Sequence, residues 1–122
     1  MNITPYIIRS IQNAKTKQIT CGLLSELTDD KDFKGMGISH IKIKDSTRKH
    51  RHKKLTEIYY VLKGSIDVEI DNKKIEHLKE GQMIMIFPKT THKAWKTSKE
   101  DAELLVVCCP PWSENDEFLT SD

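Results

Sequence analysis

No stretch of this 122-residue chain holds the apolar run of roughly 20 residues that a helix needs to cross a bilayer. A membrane partner is therefore not expected. The first residues, Met1 to Asn13, lack the basic start, apolar stretch and small-residue cleavage site of a secretory leader. An excess of one charge is missing as well: 20 Lys and Arg face 18 Asp and Glu, for a net charge of +2. That balance gives no electrostatic footprint for nucleic acid. Cysteine is scarce, with Cys21, Cys108 and Cys109 only. The number is odd and two are adjacent, a poor geometry for pairing with each other, so no disulfide framework is expected and a cytoplasmic location follows. No cysteine pair has the spacing of a zinc knuckle, and all three are expected to be small buried apolar residues. Repeats, low-complexity segments and internal linkers are absent, and the length suits one domain.

What the chain does have is a series of short apolar runs divided by turn residues, the pattern of an all-β domain. Strands are expected over Ile19–Leu27, Gly37–Lys44, Thr47–His52, Glu57–Leu62, Ser65–Ile70, Lys74–His77, Met83–Phe87, His92–Thr97 and Glu103–Cys109. Lys63-Gly64, Asp71-Asn72 and Glu80-Gly81 supply turns. Residues Pro5–Ala14 fit a short helix or an edge strand, and the tail beyond Trp112 reads as polar and irregular. Ile66, Val68 and Ile70 alternate with Asp67 and Glu69, so that strand has one wet face. Ile58–Leu62, Ile84–Phe87 and Leu104–Val107 do not alternate and read as buried on both faces. A partner subunit over the outer face would account for them, which predicts a homodimer.

The chemistry concentrates around Arg48-Lys49-His50-Arg51-His52. Residues two apart on a strand point the same way, about 7 Å apart, so His50 and His52 can aim at one point. Glu57 joins them if residues 53–56 form a loop, and His92 enters from a later strand. Three imidazoles and one carboxylate form a borderline ligand set with open positions for water or substrate. It suits one divalent transition metal ion, such as Zn, Fe, Mn, Co or Ni. His40, in parity with Lys42 and Lys44, and His77, in a charged hairpin, read as solvated.

These residues resemble the small bacterial cupins. The first motif of that family is G-x5-H-x-H-x(3,4)-E-x6-G, and His50, His52, Glu57 and Gly64 fall on it. The second is G-x5-P-x-G-x2-H-x3-N, and Gly81 and His92 fall on it. Lys44, Phe87, Lys89 and Lys96 stand where the motifs have Gly, Pro, Gly and Asn. These are turn and support positions, while all four ligand positions are intact. The stretch Thr56–Gly64 and the ending Cys109–Glu117 are also similar to the family. The resemblance implies a six- to eight-stranded antiparallel jelly-roll barrel with the metal inside. On this reading residues 1–36 hold an N-terminal segment and the first strands, 37–112 the barrel core and 113–122 the tail.

The fold does not fix a reaction. The expected function is a metalloenzyme acting on a small oxygenated metabolite, by isomerase, epimerase or lyase chemistry. The alternatives are a non-catalytic sugar-binding or sensor module and a cupin dioxygenase. Arg48 shares the parity of His50 and His52 and is the candidate clamp for a carboxylate- or phosphate-bearing ligand. Lys89 and Lys96 add positive charge near His92. Tyr59 shares the inward parity of Glu57 and is a candidate proton donor or acceptor, or barrel packing. Trp112 is a lid or a packing anchor for the tail, and Trp95 belongs to the core or an interface.

Overall fold

The computed structural model describes residues 5–29 and 31–120. Among them are eleven strands: β1 (Lys15–Ile19), β2 (Gly22–Glu26), β3 (Gly37–Ile43), β4 (His50–His52), β5 (Thr56–Lys63), β6 (Ser65–Ile70), β7 (Lys74–Lys79), β8 (Met83–Ile86), β9 (His92–Lys96), β10 (Ala102–Cys109) and β11 (Glu117–Leu119). They form two antiparallel sheets, in the orders β1-β2-β3-β10-β5-β8 and β11-β4-β9-β6-β7. The all-β expectation holds, with more strands than the six to eight anticipated.

One core lies between the sheets. The six-stranded sheet sends in Ile43, Val61 and Leu104, the five-stranded sheet sends in Ile66, Val68 and Ala94, and Leu55 fills the loop between β4 and β5. Burying each large aliphatic side chain contributes about 1.5–3 kcal/mol. Asp71 and Asn72 both take positive φ in the three-residue connection between β6 and β7, a tight turn closed by the Lys73 N–H donating to the Ile70 carbonyl.

Several expectations are corrected. Ile19–Leu27 is not one strand: Ile19 ends β1, the chain turns at Thr20-Cys21, and the whole of β2 follows. The reason is Gly22, at φ 155°, where a Cβ would lie 1.9 Å from the Lys42 carbonyl oxygen. Pro5–Ala14 is neither helix nor strand. The tail is not irregular throughout: a 3-10 turn over Glu114–Asp116 leads into β11. The strand expected from Thr47 begins only at His50.

The apolar runs do alternate once folded. Tyr59 and Val61 are buried, whereas Tyr60 and Leu62 are exposed on the outer face. Met83 pairs with Tyr60 across the ladder and, like Met85 beside it, is exposed. His40 is buried rather than solvated, because its Nε2 lies 2.9 Å from Glu103 on the neighbouring strand. His77 is exposed as expected and bonds Asp67. Cys21 and Cys108 are buried thiols, but Cys109 is exposed, since it takes the outward parity of β10. Trp95 is half-buried, bridged to Ser46.

Candidate metal centre

Strand parity assembles the centre. His50 and His52 both point inward from β4 while Arg51 between them is exposed. His92 on β9 stands directly opposite His50 in the ladder. Glu57 enters from β5 in the facing sheet. One nitrogen from each imidazole and one carboxylate oxygen lie within 4.8 Å of one another, and all four residues are buried.

Two of the rings are oriented from behind. Nδ1 of His50 donates to the Arg48 carbonyl at 2.6 Å, and Nδ1 of His92 donates to the Thr90 carbonyl at 3.0 Å. Each bond sets the tautomer and turns Nε2 toward the centre, as backing hydrogen bonds do for ligating histidines. His52 differs: it is 3% exposed, and among the described residues neither ring nitrogen has a hydrogen-bond partner. A buried polar group left unpaired costs about 1–3 kcal/mol. An ion held by its lone pair removes that cost, so the donors present fit a divalent metal. The set is borderline in hardness and admits Zn, Fe, Mn or Ni.

The electrostatics agree. His92 Nε2 meets Glu57 Oε1 at 3.0 Å. Burial alone would lower the His92 pKa, but the bond to Glu57 outweighs it and raises the value. Burial would likewise raise Glu57, and the His92 bond and the three imidazoles bring it below the ordinary glutamate range. Burial pushes His50 down, helped by the neighbouring His92. The Glu57 carboxylate held in its charged form among the imidazoles is the anionic donor a cation needs.

Glu57 is also supported from the side. The Cys108 thiol donates to its Oε2 at 3.8 Å. Tyr59 is buried against the same carboxylate, and burial followed by the Glu57 charge raises its pKa well above the usual value. Its hydroxyl therefore keeps its proton at neutral pH. Burial also raises the Cys21 thiol to about 11 and pushes Cys108 up further, so neither is a ready nucleophile.

A cavity of about 550 Å³ opens from the centre toward the β1–β2 hairpin. His50, Glu57 and Tyr59 form its floor, and Arg48, Trp112 and Glu117 line it. Arg48 reaches it although it precedes β4, and among the described residues its guanidinium has no protein partner. Lys89 and Lys96 do not line it, a departure from the expected positive rim: Lys89 lies exposed in the turn before β9, and Lys96 bonds the Lys99 carbonyl. Lys15 and Lys17, on the inner side of β1, line it instead. The sequence reading missed them because β1 itself was missed. Trp112 is exposed at the cavity wall with the Lys17 ammonium 5.8 Å from its ring centroid.

Two tail residues also escaped the sequence reading. Asp116 is buried and accepts the backbone N–H groups of Lys53, Lys54 and Leu55, the loop that spaces His52 from Glu57. Glu117 stands opposite His52 in the β4–β11 ladder, with its Oε1 3.9 Å from His50 Nε2. No local signal marked them: Glu117, Phe118 and Leu119 do not alternate, and three residues are too few to read as a strand.

With this geometry in hand, comparison with known proteins gives a family. A cupin domain model matches residues 37–108, more than half the chain. The chain belongs to the cupins. A curated relative, an uncharacterized protein of Methanocaldococcus jannaschii, is 34% identical over 100 residues, covering 77% of this chain and 78% of that one. Among solved structures, a protein from Planctomyces limnophilus has a TM-score of 0.81 at 21% identity, with 95% of this cupin and 97% of that chain covered. The nucleoside dehydratase Pac13 from Streptomyces, with uridine, has a TM-score of 0.80 at 12% identity, covering 92% and 88%. Oxalate decarboxylase from Bacillus subtilis has a TM-score of 0.81 at 21% identity; it covers 98% of this cupin, which spans 33% of that longer chain.

Proposed function

We propose that this cupin is a metal-dependent enzyme of the lyase or isomerase type, acting on a small oxygenated metabolite that carries a carboxylate or phosphate. One observation carries the reading: among the described residues His52 is buried with both nitrogens unpartnered, within a donor cluster whose His50 and Glu57 line a cavity that Arg48, a guanidinium without a protein partner, also lines.

His50, His52, Glu57 and His92 would hold the ion. When bound, the metal supplies Lewis-acid polarisation of a substrate carbonyl or hydroxyl. The chain's own residues do the rest. Arg48 offers a planar fork to the anionic end of the substrate. Tyr59 Oη keeps its proton and can hand it to a leaving or enolic oxygen. Cys108 holds the Glu57 carboxylate from behind. Apolar walls, buried Val106 and half-buried Ile41, limit water at the floor. Two structural neighbours, a nucleoside dehydratase and oxalate decarboxylase, are lyases by name and support the class.

We further infer a homodimer through the exposed apolar face of β5 and β8, and a reducing, cytoplasmic setting for three free thiols. The decisive test is elemental analysis of the purified protein and of a His50→Ala/His92→Ala double variant, followed by turnover assays on hydroxy acids and sugar phosphates. About one equivalent of metal, lost in the variant, together with metal-dependent turnover supports the enzyme. A ligand recovered unchanged points to a binding module, and absence of metal after reloading overturns the reading.

A further inference from the structure

The candidate centre has four donors on two family motifs, yet the C-terminal tail brings a second acidic group to the same space. In the β4–β11 ladder Glu117 lies directly across from His52, and residues directly across an antiparallel ladder share a face. Phe118, opposite Arg51, points the other way, and the Arg51 guanidinium sits 5.8 Å from its ring. So Glu117 is turned inward. Its Oε1 is 3.9 Å from His50 Nε2, the nitrogen left free once Nδ1 has bonded Arg48. Its charge acts on His92 as well as His50, and it lines the cavity above the centre.

Two donors on one ion with bonds of about 2.1 Å stand roughly 3.0 Å apart at right angles and roughly 4.2 Å apart when opposite. The 3.9 Å between His50 and Glu117 falls inside that range. Glu117 is not within 4.8 Å of every other donor, so it must move inward to complete the set. Its side chain is 32% exposed and has room to do so. The strand behind it is anchored, because Asp116 is clamped by three backbone N–H groups.

We propose that Glu117 is a second carboxylate ligand for the metal, its side chain swinging inward from a strand already paired with β4, so that metal binding ties the C-terminal strand to the centre. This rests on the reading of the four-residue centre as a metal site. Three imidazoles and two carboxylates neutralise a dication and favour five- or six-coordinate ions such as Mn²⁺ or Fe²⁺ over tetrahedral Zn²⁺. One position then remains for substrate, next to Arg48.

The test compares wild type, Glu117→Gln and, as a control, Glu114→Gln, an exposed tail carboxylate outside the cavity lining. Mn²⁺ affinity is measured by calorimetry, coordination by the visible absorption of bound Co²⁺, and tethering of the tail by amide hydrogen exchange over residues 117–119. The expected result is an affinity loss on the order of 10–100-fold in Glu117→Gln, a stronger, more tetrahedral Co²⁺ spectrum, and loss of the metal-induced protection, with Glu114→Gln like wild type. Equal affinity and spectrum in Glu117→Gln overturn the proposal while leaving the four-donor centre standing. An equal loss in Glu114→Gln also overturns it, since general tail charge would then suffice. No metal binding by wild type would remove the four-donor centre itself and this proposal with it.

Discussion

The Asp116 carboxylate, near the end of the chain, accepts the Lys54 backbone N–H at 2.8 Å inside the loop that joins two candidate metal ligands. Lys53 and Leu55 donate to the same side chain at 3.1 Å each. The tail thus shapes the loop that lets His52 and Glu57, five positions apart, face one point. Replacing Asp116 with Ala leaves three backbone donors without this acceptor. The expected cost is about 2–4 kcal/mol, given about 1.5–3 kcal/mol for a bond to a charged group. Denaturant midpoints measure it. An effect under about 0.5 kcal/mol, within the surface-substitution range, would show that water replaces the clamp.

Metal removal should lower the melting temperature. A ligand present at a hundredfold over its dissociation constant stabilises by about 2.7 kcal/mol, a shift on the order of 10 °C for a chain of this size. Calorimetric scans with and without chelator give the number. The His50→Ala/His92→Ala variant should show no shift between the two conditions; an equal shift would place the ion elsewhere.

Lys89 occupies a backbone conformation that the cupin motif reserves for glycine. Its φ is 70°, and its N–H donates to the His52 carbonyl at 2.6 Å, so the turn is needed where it is. A side chain in the left-handed region costs about 1–2 kcal/mol relative to glycine, partly offset by glycine's larger unfolded-state entropy. Lys89→Gly should therefore stabilise by about 0.5–1 kcal/mol in equilibrium unfolding. Because Lys89 does not line the cavity, metal affinity should stay unchanged. Destabilisation by this substitution would refute the account.

Arg48 should matter to ligands and not to the ion. Arg48→Met keeps the length of the side chain and removes the fork. An anionic ligand such as oxalate or a sugar phosphate should bind on the order of 10-fold more weakly, in line with about 1.5–3 kcal/mol for a charged hydrogen bond. Metal content should hold. Titration calorimetry on the metal-loaded protein decides, and unchanged anion affinity would dismiss Arg48 as the clamp.

The outer face formed by Tyr60, Leu62, Met83 and Met85 should be covered by a second copy. Light scattering should return twice the 14.1 kDa chain mass. Tyr60→Glu should shift the population toward monomer, as a charge buried unpaired at an interface does. A monomeric wild type at tens of micromolar would rule the interface out.

Much of the barrel was legible beforehand because strand parity and turn chemistry are local. Alternation along Ser65–Ile70 and the Asp71-Asn72 turn determine the β6–β7 hairpin without reference to the rest of the fold. The spacing of His50, His52 and Glu57 was enough to nominate a common point, since two-residue periodicity turns spacing into direction. His92 followed from the second motif, and the ladder sets it opposite His50. The break at Gly22 was not legible: only the approach of the Lys42 carbonyl shows why a glycine, and hence a turn, must stand there.

The sequence by itself determined the β class and the identity of the four candidate donors, because both rest on periodicities a few residues long. Tertiary structure alone decided which distant segments complete the site. Lys15 and Lys17 reach the cavity through a hairpin, and Asp116 and Glu117 arrive from the tail through the β4–β11 pairing, about 65 residues beyond the histidines they serve. Pairing between strands that far apart leaves no local trace, because its stabilisation comes from contacts that exist only once the two sheets have closed on their core.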